Sequence, residues 1–236
     1  MLDNNATPAK RHLLIITGPQ GSGNHLFSRI FSWHPAVRGW DALQDNYWVP
    51  SDQEPLAKYW VHPEEFNVEK EFADKQYLVA NVSAPFFYDG VRQFPQIEEV
   101  IRRARAADVE VTVAIVTRDH TINGDQQQRV GGQRTLNDAV SHYLELIASQ
   151  DTDDFSVHFI SHEAVFLWRN TYVQYLSKLL KTPVDLDHCL LGLDVPPNHK
   201  YIRTVTEHWL DEEIRAGRRP FADRVVDRLR GNYESH

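Results

Sequence analysis

Cysteine is nearly missing from this sequence: Cys189 is the single one in 236 residues, which excludes an internal disulfide framework and any metal site built on several thiolates. A reducing, cytoplasmic setting is expected. Positive charge is in deficit as well. With 25 Lys and Arg against 33 Asp and Glu, the net charge is −8, so no general basic field exists to hold duplex nucleic acid. No apolar run approaches the roughly 18 residues of a membrane helix, and the opening MLDNNATPAKRH lacks the apolar core of a signal peptide. Neither a membrane partner nor export is expected. The 12 histidines show no HExxH or comparable spacing, and no metal site is predicted. What the chain does have is a globular balance, 42% hydrophobic and 25% charged. This suits a single domain over residues 1–236, with a core at 12–185 and a helical extension at 200–236.

Short β-rich apolar runs alternate with helical patterns. Strands are predicted over 12–17, 76–82, 109–117 and 155–160, and helices over 24–33, 97–106, 135–149 and 163–181. Thr135 with Asp138 resembles a capping pair, and Leu136, Ala139, Val140, Tyr143, Leu144 and Ile147 then follow a helical stripe. Strand and helix in repetition predict an α/β fold, a three-layer parallel sheet flanked by helices and completed by C-terminal helices. Ligands in such sheets sit at the carboxyl ends of the strands, so the loops after Thr17, Val82 and Thr117 are the places for chemistry.

The first of these loops lies in LLIITGPQGSGNHLFSRIFSWHP, residues 13–35. Gly18, Gly21 and Gly23 permit close backbone approach, and the helix that starts near Asn24 directs free N–H groups at an anion in the loop. Against the phosphate-loop pattern GxxxxGK[ST], Gly18 and Gly23 match, while Asn24 and His25 replace the lysine and the magnesium-binding hydroxyl. A strand-to-helix turn without a ligand has the same spacing.

Gly18, Pro19, Gln20, Ser22, Gly23, His34 and Pro35 together resemble the first phosphate-binding loop of the P-loop-type sulfotransferases that use 3'-phosphoadenosine 5'-phosphosulfate (PAPS). That loop reads G-x-P-[KR]-[ST]-G-[TS]-[TS] before a helix and H-P, and the heparan N-sulfotransferase branch begins G-P-Q-K-T-G-T-T. The family's lysine or arginine, which touches the 5'-phosphosulfate, corresponds to Gly21, and its two hydroxyl residues correspond to Asn24 and His25, whose own donors near a helix N-terminus are expected to reach the same phosphate. VAIVTRDHTINGDQQQRV resembles the family's 3'-phosphate strand: Arg118 and Asp119 match, His120 replaces a proline, and Gln126 stands where the family has serine. Arginine suits a phosphate through its permanent charge and planar fork. Arg129 and Arg134, beside Gly131 and Gly132, are read as a flexible basic lid over the phosphates or as solvated loop charges. VHFISHEAVFLW resembles the family's last strand and helix, with Glu163 matching and His162 at a tyrosine position. Lys200 is the nearest surrogate for the family's late basic loop.

The resemblance implies transfer of a sulfuryl group from PAPS, leaving 3'-phosphoadenosine 5'-phosphate (PAP), to a hydroxyl or amine of a small molecule or sugar. The second-strand histidine of cytosolic members corresponds to Ser83, which is no base near neutral pH. Carbohydrate sulfotransferases place a glutamate after the first helix, where this chain has Asp41 and then Asp45; these two, with His25, are the catalytic candidates. The aromatic residues from Trp40 to Phe66 are expected to bind the acceptor. An ATP- and magnesium-dependent phosphotransferase, and a nucleotide-binding homologue without catalysis, remain the alternatives.

Overall fold

The opening strand sets the architecture. In the computed structural model, which describes residues 10–40, 49–149 and 155–189, β1 (His12–Pro19) is buried along its whole length. A strand without a polar face must be covered on both faces, and it lies at the centre of a parallel sheet. Helix α1 (Asn24–Ser32) follows the Gly-rich turn, and a two-residue strand β2 (Val37–Arg38) returns to the sheet. Three 3-10 turns between Ser51 and Glu65 and the short helix α2 (Val68–Phe72) lead into β3 (Tyr77–Ala84). A small hairpin, β4 (Phe86–Tyr88) with β5 (Val91–Gln93), precedes α3 (Ile97–Ala106) and β6 (Glu110–Thr117). Then come α4 (His120–Gly131), α5 (Leu136–Ala148), β7 (Ser156–Ser161) and α6 (His162–Leu179).

The main sheet has five strands in the order β2-β3-β1-β6-β7, and every pairing in it is parallel. Helices cover both faces. Along β1 the side chains alternate between two cores: Leu13 and Ile15 join Val100, Ile101 and Tyr143 on one face, whereas Leu14 and Ile16 join Phe27, Ile30 and Leu176 on the other. The chain is therefore an α/β protein with a parallel sheet between two helical layers, as the alternation of patterns predicted. All of these elements belong to the compact unit Met1–Asp194. Among the described residues no helix is long and apolar enough to cross a membrane. The expected helices at 200–236, and Asp41, Asp45 and Lys200, lie outside the described residues.

Four expectations are corrected. Thr135 precedes α5 without a side-chain cap, its amide being held instead by Gln127 Oε1 at 2.9 Å. On α5 the buried residues are Ala139, Tyr143 and Leu146, while Val140 and Leu144 face outward. The segment read as a flexible lid or as loop charges is instead helical through Gly131, with Arg129 paired to Asp125 at 3.2 Å one turn earlier. Trp40, Tyr59, Trp60 and Phe66, expected on an acceptor surface, are buried, the last three in the core beneath β3 and α3.

Tyr143 shows how the helical layer supports the central strand. Its hydroxyl meets Thr17 Oγ1 at 2.9 Å, and Thr17 in turn donates to the carbonyl of Val82 on β3 at 2.9 Å. With Thr17 donating onward, Tyr143 is the donor to Thr17. Burial pushes the phenol above its ordinary pKa, so it keeps its proton and this chain of bonds.

Candidate functional site

The order of the sheet selects the site. Proceeding along the chain, strands are laid down on one side of β1 (β2 and β3) and then on the other (β6 and β7), and the crevice at such a reversal is where ligands bind in open parallel sheets. Its walls are the turn after β1 and the residues after β6. Those are Gly18 to Gly23 and Arg118.

The turn is built tightly. A Cβ on Gly18 would lie against Ser22 Oγ and 2.8 Å from both Asn24 Oδ1 and the Val116 carbonyl, so only glycine lets β1 and the turn approach this closely. The Ser22 amide closes the turn on the Pro19 carbonyl at 2.9 Å, and Ser22 Oγ donates to Asn24 Oδ1 at 2.9 Å. The Asn24 amide nitrogen faces inward, near Gly18 O at 3.3 Å, Val82 O at 3.2 Å and Ser83 Oγ at 3.2 Å. Asn24 thus braces β1 against β3, and the hydrogen bond to phosphate expected of its side chain is directed into the protein. Ser83 is one of its partners. Gly23 adopts φ +111°, and a Cβ there would lie 2.5 Å from Cδ2 of His162.

Arg118 comes from the other wall. It is buried, and its guanidinium donates to the Gly21 carbonyl at 2.7 Å and to Gln126 Oε1 on the first turns of α4. Asp119 caps that helix by accepting from the Ile122 amide at 2.9 Å. Gln127 Nε2, one residue beyond Gln126, donates to the Gln20 carbonyl at 2.8 Å. Of the expected phosphate ligands, the structure gathers Gly18, Pro19, Gln20, Gly21, Ser22, Gly23, Arg118 and Gln126 at one place. Arg129 and Arg134, the remaining basic candidates, are exposed.

His25, in the first turn of α1, takes a different direction. Its Nε2 lies 2.6 Å from Oε1 of Glu54, and its ring packs on that of Trp40 with centroids 4.9 Å apart. Oε2 of Glu54 accepts from Asn81 Nδ2 on β3 at 2.5 Å. Burial pushes the Glu54 carboxyl above its usual range, while the hydrogen bonds from His25 and Asn81 pull it back. Glu54 was not anticipated from the sequence. It sits in a short SDQEP stretch among 3-10 turns, 29 residues from His25 and 27 from Asn81, and no spacing rule connects the three.

His162 forms the back wall of the turn. It is buried, its Nδ1 has no hydrogen-bond partner, and Glu163 Oε1 stands 3.9 Å away. Burial, reinforced by the charge of Arg118, lowers its pKa to about 4. His12, also buried, falls to about 4 chiefly through desolvation. In the unfolded chain both would titrate near 6.5, so the unfolded state binds more protons between those values. Stability is then complete above about pH 6.5 and declines as the pH falls toward 4, by up to about 1.4 kcal/mol per pH unit for each histidine. The urea midpoint should fall on going from about pH 7 to about pH 5, and the fall should be smaller in His162→Gln. An equal fall in both proteins would remove His162 from the acid transition.

Among the described residues no group of three or more His, Cys, Asp or Glu is placed to hold a metal ion. Cys189 is buried and its thiol is pushed up to about 11, first by desolvation and then by Asp185, which makes it a poor nucleophile. No protein-family model matches the chain, and no curated protein sequence matches it.

Proposed function

We propose that this protein is a sulfotransferase-like enzyme that binds PAPS in the crevice between β1 and β6 and moves its sulfuryl group to a hydroxyl or amine of a small molecule or sugar. The observation that carries the reading is the junction of Arg118 with the turn. A buried guanidinium, supplied by the strand next to β1, bonds directly to Gly21 in the middle of the turn. The turn supplies backbone N–H groups at the start of α1 and no lysine, and among the described residues Arg118 brings a fixed positive charge to it. The tight packing of Gly18 against Ser22, Asn24 and the Val116 carbonyl fixes the shape of the turn, so its backbone groups are preset. PAPS would supply the activated sulfuryl group; the chain's part is to hold its phosphates and to accept the proton of the attacking hydroxyl or amine.

Thermal unfolding with PAP, and separately with ATP and magnesium, tests this reading. At 100 times its dissociation constant a ligand stabilises by about 2.7 kcal/mol, worth roughly 5–10 °C for a domain of this size. A rise with PAP and none with magnesium-ATP is the expected result. A rise only with magnesium-ATP would replace the sulfuryl donor by a phosphoryl donor, and no rise with either would overturn the nucleotide site.

A further inference from the structure

Transfer to a hydroxyl or amine requires a group that takes the acceptor's proton, and the most organised proton-handling cluster among the described residues is the one formed by His25, Glu54 and Asn81. We propose that His25 is the base of the reaction and that Glu54, itself fixed by Asn81, is a positioning residue that holds the His25 ring as its Nε2–H tautomer, leaving the lone pair on Nδ1 for the acceptor. The proposal rests on the transferase reading above and adds to it which groups move the proton.

Three observations support it. The first is direction: Nε2 of His25 points at Glu54 Oε1, 2.6 Å away, so the other ring nitrogen is the one left for a substrate. The second is exposure. The His25 side chain keeps 22% of its surface accessible against 6% for Glu54, and a proton from outside therefore meets the imidazole before the carboxylate. The third is rigidity. Asn81 Nδ2 donates to Glu54 Oε2, Trp40 packs on the imidazole, and Trp40 and Asn81 are almost wholly buried. The ring is thus held at both its edge and its face. A neutral imidazole has one donor and one acceptor nitrogen, and the bond made by one decides the role of the other. Burial disfavours the ionised Glu54 carboxylate, and the bonds from His25 and Asn81 oppose that effect; the ionised form that the proposal requires can only accept from Nε2.

In the step itself, the acceptor oxygen or nitrogen forms a bond to sulfur as the bond from sulfur to the bridging phosphate oxygen breaks. The electron pair of that bond departs on the 5'-phosphate of the nucleotide. The acceptor's proton moves to Nδ1 of His25, making an imidazolium that the Glu54 carboxylate stabilises, and it then leaves to water. Atoms and charge balance with no further reactant.

The tautomer is observable without turnover. Nitrogen-15 spectra of the imidazole rings, recorded well above the ordinary histidine pKa of about 6.5 and assigned by loss of a signal in His25→Asn, report which nitrogen carries the proton. The expected result is an Nε2–H ring in the native protein and loss of that preference in Glu54→Met. A native ring protonated on Nδ1, or one with no preference, would overturn the proposal, as would a preference unchanged in Glu54→Met. If Glu54→Met does not fold, the native spectrum decides alone. Binding of PAP, expected within twofold of native in Glu54→Met, is measured on the same samples: failure of native protein to bind it would refute the nucleotide reading and leave the tautomer result standing by itself.

Discussion

Gly23→Ala is expected to destabilise the protein by about 2–5 kcal/mol, one of the largest effects available to a single added methyl group. Two causes add. The backbone at Gly23 lies at φ +111°, where a Cβ costs roughly 1–2 kcal/mol, and the new methyl would meet the buried His162 ring at 2.5 Å, an overpacking that costs about 1–3 kcal/mol. Urea unfolding measures the sum, and a second substitution separates the parts. Removing the ring in Gly23→Ala/His162→Ala should abolish the steric share and leave the backbone share, so the two substitutions should combine to less than the sum of their separate losses. A loss below about 1 kcal/mol for Gly23→Ala would show that the turn relaxes away from His162.

Arg118→Met should weaken PAP binding by at least about 3 kcal/mol, or more than 100-fold in dissociation constant. Hydrogen bonds to charged groups contribute about 1.5–3 kcal/mol each, and a guanidinium facing a phosphate makes two. The methionine keeps much of the buried stem, so the loss reports the charge and its donors more than the packing. Lysine is not an equivalent replacement, because an ammonium has one nitrogen where the guanidinium, which reaches both Gly21 and Gln126 from Nη1 alone, has three. Arg129→Met is the control: its side chain is exposed and paired with Asp125 on the same helix, and affinity should stay within about twofold, as befits a surface pair. Calorimetric titration of the three proteins decides. Equal affinities in all three would place the nucleotide elsewhere.

Much of the scaffold was legible because the physics that built it is local. HLLIIT, YLVANV and EVTVAIVT are near-continuous apolar runs ended by turn signals, and strands covered on both faces read that way. The amphipathic stripe of Ile97, Val100, Ile101 and Ala104 marked α3 for the same reason. Helix α4 was missed because HTINGDQQQRVG has no apolar stripe; the Asp119 cap and side-chain bonds from Gln126 and Gln127 to neighbouring segments support it. The strand β2 is too short for any period to show. In the site, Gly18, Gly23 and Arg118 announced themselves by position after strands. The role of Asn24 could not be read, since its partners Val82 and Ser83 lie 58 and 59 residues on and only the pairing of β1 with β3 brings them near. Glu54 was hidden by the same distance. The aromatic residues misled because a Trp and Tyr cluster among carboxylates has one appearance in sequence whether it lines a surface or fills a core.

Gln127 links two places that the chain keeps far apart. Its Nε2 holds the carbonyl of Gln20, 107 residues earlier, and its Oε1 holds the amide of Thr135 at the threshold of α5. One planar amide thereby serves as a hinge pin between the turn after β1 and the start of a helix in the opposite layer. Neither can swing out without tugging on the same side chain, so the two behave as a single cooperative unit rather than as independent flaps.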